Sequence, residues 1–522
     1  MTDFSDFLGI DIGTTSVKIA YFDKKQNQVI NVTFKDGDEY YPSYYAVHKK
    51  TGKGKTGKDA KTQMASPNFF VIYEVKRFIG KKYDDETIGE EKNRVTYKVL
   101  KNPDDGTVLM QIGPQRSITP SDFYQVILKE IRALMESQGI KAKNAVVTVP
   151  VTFGDTEREL IRNMVKSPEF GMNTVEIFNE PTAAAIDCGI KDGDFSGMFA
   201  IFDYGGGTLD VSVIELTKDE EGTPSFEVIR HGGLRGNGGS DLDQLIVNKI
   251  LSDIKEGIIS VEDADETLKF LKGNKGSARL KKECEDCKIA LSSETTYQFN
   301  LPLENDEDEE VSVTITRNEF ETDICGQKFE EAVECLQNVI AEAEDEKNEK
   351  VKKILMVGGS SQIPFLKTLI QEKTGIEPQL SEKPLLAVSR GAALQGSSVD
   401  IKTKERSPYA VGIEITEQGL PLIYTIIEKN TPLPVIGEYT FRIPNDGQDC
   451  MKTWVYKDAK LPERDKRIGA IEMYMDNYVP KINDRVVLRV EMTEEGCLTL
   501  TFTLPDSQFG NTFVKNIEIN TK

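Results

Sequence analysis

Two short stretches of this chain carry an acid, glycines and hydroxyls in the same order. In the first, the apolar run 7–10 leads to Asp11, then Ile12-Gly13-Thr14-Thr15, then a second apolar run over 17–22. In the second, Ala200-Ile201-Phe202 leads to Asp203, then Tyr204-Gly205-Gly206-Gly207-Thr208-Leu209-Asp210. Each reads as a buried strand, a tight turn and a returning strand. Bare glycine lets the backbone approach a ligand, hydroxyls and amides donate to phosphate oxygens, and a carboxylate holds a cation through water. That is chemistry for a metal-bound phosphate. One glycine turn alone is weak evidence. Two copies with matched acid and hydroxyl suggest an internal duplication whose turns grip phosphate from both sides of a cleft.

Two further glycine pairs fit around such a cleft. The apolar run Ile354-Leu355-Met356-Val357 ends in Gly358-Gly359-Ser360-Ser361, followed by Gln362-Ile363-Pro364. A backbone that approaches a flat base or ribose needs glycines of this kind. Gly238-Gly239-Ser240-Asp241 opens a helix whose N-terminus can face phosphate; an ordinary helix cap accounts for it equally well.

The elements that must position these residues alternate between strand-like and helix-like patterns through residue 396. Residues 121–137 have helical periodicity, with Phe123, Ile127, Ile131 and Leu134 on one face. Residues 144–150 (NAVVTVP) read as a buried strand, and 155–165 as a helix. From residue 408 short alternating runs such as VVLRVEM and CLTLTFTL, spaced by Gly, Asn and Asp, predict a compact all-β domain. Residues 397–407 are polar and read as a linker, whose burial would cost free energy. The expected organisation is thus an α/β domain over 1–396, a linker over 397–407 and a β domain over 408–522.

At 522 residues, 29% charged and 38% apolar, the chain has the composition of a soluble globular protein. Its net charge of −21 argues against nucleic acid or an anionic membrane surface as a partner. The absence of a basic or apolar leader in MTDFSDF predicts a cytoplasmic protein. Seven scattered cysteines fit reduced thiols. Cys284 and Cys287 form a lone CxxC, and His48 and His231 are the only histidines, too few to complete a zinc site. Residues 52–59 (GKGKTGKD) nearly spell a phosphate loop but lack its final hydroxyl and its buried strand, so an exposed basic loop is expected. The acidic run 304–310 reads as a solvated hairpin tip.

Further motifs resemble one family. Glu74-Val75-Lys76-Arg77-Phe78-Ile79-Gly80, Val147-Thr148-Val149-Pro150, Asn179-Glu180-Pro181-Thr182-Ala183-Ala184-Ala185, the glycine turn over 203–210 and Leu291-Ser292-Ser293 are similar to motifs of the seventy-kilodalton heat-shock chaperones. Gly412-Ile413-Glu414, Lys429-Asn430-Thr431 and Pro434 resemble that family's peptide-binding domain. The resemblance covers essentially the whole chain. It implies a duplicated actin-like ATPase domain of two lobes around a nucleotide cleft, followed by a β sandwich that binds unfolded or apolar polypeptide.

The resemblance also implies roles. Gly13, Thr14 and Thr15 would contact phosphate, opposite Gly205, Gly206 and Gly207. Lys76 would orient the attacking water and stabilise charge on the γ-phosphate. Glu180 and Asp203 would arrange magnesium-bound waters, either one serving as proton acceptor, and Thr208 would bond the γ-phosphate. Asp11, Asp203 and Asp210 would hold magnesium or potassium. Gly238 and Gly239 would approach the phosphates, and Glu285, Lys288 and Ser292 the adenosine. Gly358, with Gly359, Ser360 and Gln362, would lie on the base side. Pro150 and Arg158 resemble a pair that relays nucleotide state between lobes. The cofactors implied are ATP or ADP, Mg2+ and K+. The partners implied are J-domain and nucleotide-exchange co-chaperones or a full-length chaperone. Carboxylates at 11, 180, 203 and 210 converging on one cleft would be unstable without cations, which agrees with a magnesium nucleotide and a lysine.

The chain also departs from the family pattern. Gln362 stands where a guanidinium would stack on adenine, which should weaken nucleotide binding by ~1 kcal/mol. The last strand-like segment lies just before Lys522, so a member without a helical lid is expected. Ile413, Phe441 and Met451 are the candidate groove residues, with packing in the β-domain core an equally good account of them, and Trp454 reads as packing. A non-catalytic nucleotide-binding scaffold or co-chaperone is the alternative reading. A small-molecule kinase would keep the fold but needs an acceptor pocket.

Overall fold

The computed structural model describes residues 4–191, 195–303, 310–397, 401–417, 420–443, 450–463, 466–474, 481–504 and 512–516. Its first sheet begins with β1 (Phe4–Ile12), β2 (Ser16–Asp23) and β3 (Gln28–Asn31), an antiparallel meander. Helix α1 (Pro120–Ser137) leads to β4 (Asn144–Val149), α2 (Asp155–Lys166), β5 (Thr174–Asn179) and α3 (Glu180–Lys191). The strand order is β5-β4-β1-β2-β3, with β4 parallel to β1 and β5 parallel to β4. The sequence periodicity of α1 is realised: Phe123, Ile127 and Ile131 are buried, and Thr119 caps its first turn in a reciprocal box with Asp122.

The second sheet repeats this plan. It comprises β6 (Gly197–Tyr204), β7 (Thr208–Lys218) and β8 (Pro224–Arg235), again an antiparallel meander. Helices α4 (Gly239–Lys255) and α5 (Asn274–Ala290) form part of one wall of the cleft. Helix α6 (Gly326–Lys347) precedes β9 (Lys353–Val357), α7 (Pro364–Thr374), β10 (Gln379–Leu380) and α8 (Ala387–Gln395). The order is β10-β9-β6-β7-β8, with β9 parallel to β6 and β10 parallel to β9. The strands of both sheets are apolar on both faces because helices cover both sides; Leu8, Ile10, Ile19, Phe202 and Val211 are fully buried.

Helices α3 and α8 pack on each other where the two lobes meet, α3 reaching the second sheet and α8 the first. Gly391 makes this possible, since a Cβ there would sit 1.7 Å from the Ala183 carbonyl oxygen.

The polar linker corrects the expectation drawn from its composition. Residues 398–400 lie outside the described residues, but β11 (Lys402–Lys404) pairs in parallel with β8 at the edge of the second sheet. Glu405, Arg406 and Ser407 that follow are all buried. Burial is tolerable because partners are supplied. Arg406 donates to the carbonyls of Val228 and Asn430 and pairs with Glu346 at 2.8 Å, while Lys402 and Lys404 keep exposed heads beside Asp219 and Glu227.

The β sandwich has one sheet of β12 (Val411–Glu417), β13 (Leu420–Ile427), β15 (Cys450–Lys457) and β16 (Arg467–Tyr474). The other holds β14 (Val435–Arg442), β17 (Arg485–Met492), β18 (Leu498–Thr503) and β19 (Thr512–Asn516). Val411, Ile413, Val455, Leu488, Val490 and Leu500 form its core. The sandwich rests on α2: the Leu498 amide donates to Asp155, Arg162 pairs with Glu495 at 2.6 Å, and Lys457 donates to the Thr152 carbonyl. Residues 54–56 of the basic segment form an exposed hairpin strand rather than an irregular loop. Residues 304–309 of the acidic run lie outside the described residues, and the strands on either side pair as a hairpin. Cys284 and Cys287 are buried free thiols on α5.

Candidate functional site

The two hairpin turns are built alike. Gly13 N–H donates to the Ser16 carbonyl at 3.0 Å, and Gly205 N–H donates to the Thr208 carbonyl at 3.1 Å. They face each other: a Cβ on Gly206 would lie 2.7 Å from the Thr15 side chain, and one on Gly207 2.6 Å from Thr14. Glycine is required there because the hydroxyls of one lobe abut the bare backbone of the other. The N-terminus of α4 closes against the second turn, with Gly239 N–H donating to Gly205 and Ser240 N–H to Gly206. Gly238 caps α4, its amide bonded to Asp241 at 2.8 Å, so this glycine pair is both a cap and part of the phosphate end.

The carboxylates expected at the cleft do converge. Asp11, Glu180, Asp203 and Asp210 are all buried, at the ends of β1, α3, β6 and the start of β7. Lys76 Nζ lies 2.6 Å from Glu180 Oε1. Burial, only partly offset by Lys76, pushes Glu180 up to about 7, with Asp11 and Asp210 adding to the rise. Lys76 stays protonated: Glu180 and Asp11 outweigh the effect of its burial. Asp203 is pushed well above the carboxylate range by burial and by Glu180, Asp210 and Asp11. Asp210 is also raised by burial, although it accepts from Thr208 at 3.0 Å and from the Val151 amide. Its Oδ1 is buried with no partner.

Such a set fits a hydrated divalent cation, whose charge would favour the ionised form of Glu180, Asp203 and Asp210. Among the described residues no three acids, thiols or histidines are grouped to ligate an ion directly.

Sequence reasoning missed Lys18. It sits opposite Asp11 in the β1–β2 register, and its Nζ is 2.9 Å from Asp11 Oδ2, with both side chains about nine-tenths buried. The available signal was a single lysine within the apolar run VKIAYF. It also missed charges that join the cleft walls. Arg77 and Arg94 both pair with Asp241, Lys281 pairs with Glu74, and Lys61 pairs with Glu285 at 2.8 Å.

On the adenosine side, Lys288 pairs with Asp243 at 2.7 Å and donates to the Gly239 carbonyl, and Ser292 caps back onto the Lys288 carbonyl. Ser360 donates to the Gly205 carbonyl. Gly358, at φ +87, runs so close to β6 that a Cβ would lie 2.4 Å from the Tyr204 carbonyl oxygen. Gln362 is exposed and donates to Gly359, and Ile289 is 59% exposed.

Pro150 ends β4 beside Val151, whose amide reaches Asp210. Arg158 is 3% exposed, and it donates to the Phe153 carbonyl and to Asn179 Oδ1 at 2.8 Å. Asn179 in turn donates to Glu405 of the linker at 2.9 Å. In the sandwich, Ile413 is 2% exposed and belongs to the core, so it does not line an open groove as the chain is placed. Phe441 is half-buried and meets Tyr424 edge-on, which also meets Tyr439. The Met451 side chain lies outside the described residues. Lys452 and Arg467 each lie over the Trp454 ring.

A duplicated α/β domain with facing phosphate turns, joined to a β sandwich, defines a two-lobed actin-like ATPase domain carrying a sandwich domain. The family model described as Hsp70 protein matches residues 7–516, and the chain belongs to the Hsp70 family. It is 28% identical over 508 residues to the chaperone protein DnaK of Psychrobacter cryohalolentis, covering 95% of this chain and 75% of that protein. Members of this family are ATPases and chaperones that bind ATP or ADP with magnesium.

Proposed function

We propose that this chain binds and slowly hydrolyses ATP in the cleft and binds unfolded, apolar polypeptide through its sandwich. The observation that carries this reading is the pair of facing glycine turns over four buried carboxylates with Lys76 among them. A bound magnesium nucleotide supplies the phosphoryl group. Thr14, Thr15, Thr208 and the amides of Gly13 and Gly205–207 hold its oxygens. Lys76 positions water and neutralises charge developing on the transferred group. Glu180 or Asp203 takes the proton. Asp203 and Asp210 would hold the hydrated ion. Lys288, Glu285 and Ser292 face the adenosine, and Gly358, Gly359, Ser360 and Gln362 the base.

The path Asp210, Val151, Pro150, Phe153, Arg158, Asn179, Glu405, in which Phe153 N–H donates to the Pro150 carbonyl, supports a relay from the phosphates to the linker. We take the functional units to be 1–396, 397–407 and 408–522, in a cytoplasmic protein. No helix among the described residues is long and apolar enough to cross a membrane. Phe441 with Tyr424 and Tyr439 supports an apolar peptide site, and J-domain and exchange co-chaperones are the implied regulators. The scaffold reading is supported by Gln362, which leaves the base without a stacking guanidinium.

Single-turnover hydrolysis of ATP with magnesium tests the main reading. Phosphate release, accelerated by a short apolar peptide, is the expected result. Nucleotide binding with no phosphate released would favour the scaffold.

A further inference from the structure

The duplicated hairpins place their charges at equivalent positions. In the second lobe, Asp203 on β6 stands opposite Asp210 on β7. In the first, Asp11 on β1 stands opposite Lys18 on β2. The same register position therefore holds a second acid in one lobe and an ammonium in the other. The second hairpin presents two carboxylates and calls for a cation. The first carries its own cation on the chain.

The geometry around Lys18 is that of a placed charge. Its Nζ reaches Asp11 Oδ2 at 2.9 Å and lies against the phosphate turn, 2.9 Å from where a Gly13 Cβ would be. An ammonium has three donors. One is used on Asp11, and no other protein acceptor is bonded to it among the described residues. The remaining donors are free for a phosphate oxygen at the Gly13 turn. The charge also offsets the mutual repulsion that raises Asp203. A free monovalent cation at Asp11 would have to sit beside this ammonium, and like charges at such a distance in a buried site repel strongly.

We propose that Lys18 takes the place of a monovalent cation at Asp11 and donates to the nucleotide phosphates, so that this chain binds magnesium nucleotide without potassium. The proposal rests on the nucleotide-site reading above. It replaces the potassium implied at Asp11 by a tethered charge, and Lys18 acts as a binding and positioning residue.

The test is a titration of the full chain with a fluorescent ADP analogue at fixed magnesium. Chloride salts of potassium, sodium and tetramethylammonium are compared at equal ionic strength. Wild type should bind with a Kd that changes less than about twofold among the salts, because the charge is already in place. Lys18→Met should bind about tenfold or more weakly in tetramethylammonium and recover much of the loss in potassium, a pattern that loss of fold cannot produce. A melting curve checks that the variant is folded. If it is not, the wild-type salt comparison alone decides. Wild type that needs potassium overturns the assignment while leaving the nucleotide site intact. A Lys18→Met chain that binds as tightly as wild type in every salt overturns it as well. Wild type that binds no magnesium nucleotide in any salt overturns the site reading, and the Lys18 assignment falls with it.

Discussion

In the cleft, Asp11, Glu180, Asp203 and Asp210 share two ammonium groups, Lys18 and Lys76, and Asp210 Oδ1 is left with no partner. Under the linker, Arg406 and Glu405 are buried too, but the charge is shared with the partly exposed Glu346 and Arg230, and Glu405 Oε1 is left without a hydrogen bond. Arg406 meets Glu346 and two carbonyls, Arg230 also pairs with Glu346, and Glu405 accepts from Asn179 while burial raises its pKa toward the neutral form. The contrast separates two uses of buried charge. Acids left in excess mark where a ligand must bring charge in. Acids balanced inside the chain mark where one segment holds another.

The largest effect should come from the cleft. Lys76→Ala should lower the single-turnover rate by about 10²–10³-fold while nucleotide affinity changes only a few-fold. Affinity falling as far as the rate would make Lys76 a binding group and blur the contrast. At the linker seat, Arg406→Ala removes the donor to two carbonyls and leaves Glu346 to Arg230. It should cost about 2 kcal/mol, the low side for a buried pair because Glu346 is partly exposed. Proteolysis of residues 402–407 reads this directly, and unchanged resistance would show that strand pairing alone seats the linker.

Acid should loosen the same seat. His231 Nε2 meets the Ser407 carbonyl at 3.2 Å, and burial, with Lys429 nearby, pushes its pKa down to about 3 from an ordinary 6.5. The neutral ring's contribution is complete above pH 6.5 and is lost as pH falls toward 3. Moving from pH 7 to pH 5 should therefore cost about 2 kcal/mol. Asp155, pushed up to about 6 by burial where the sandwich meets α2, acts with the opposite sign and favours docking as pH falls below 6. His231→Gln separates the two: hydrogen exchange at the linker should lose its acid sensitivity, and a variant that keeps it would point to another group. The smallest effect is on the base side. Gln362→Arg should tighten ADP binding about fivefold, near 1 kcal/mol, by calorimetry. No change would remove Gln362 from the base site.

Much of the cleft was legible because each half is local. The strand, turn and return around Asp11 and Asp203 are closed by bonds between residues three apart, Gly13 to Ser16 and Gly205 to Thr208. Helix α1 announced itself through its periodicity and its Thr119–Asp122 box. The linker was misjudged because its composition is polar, while its partners at 228, 346 and 179 lie far away in the chain. Ile413 shows the same limit: alternation marks it as apolar, but only the second sheet of the sandwich decides that it is core.

By itself, then, the sequence determined the two phosphate hairpins, the alternation of strand and helix, and the switch to short strands after residue 408. These follow from hydrogen bonds and side-chain period among near neighbours. Tertiary structure decided that Thr14 and Thr15 meet Gly207 and Gly206, that Arg77 and Arg94 cross the cleft to Asp241, and that a polar linker lies buried. Each of these depends on a partner brought from far along the chain. Whether a charge is costly or stabilising is set by that partner, and local sequence does not contain it.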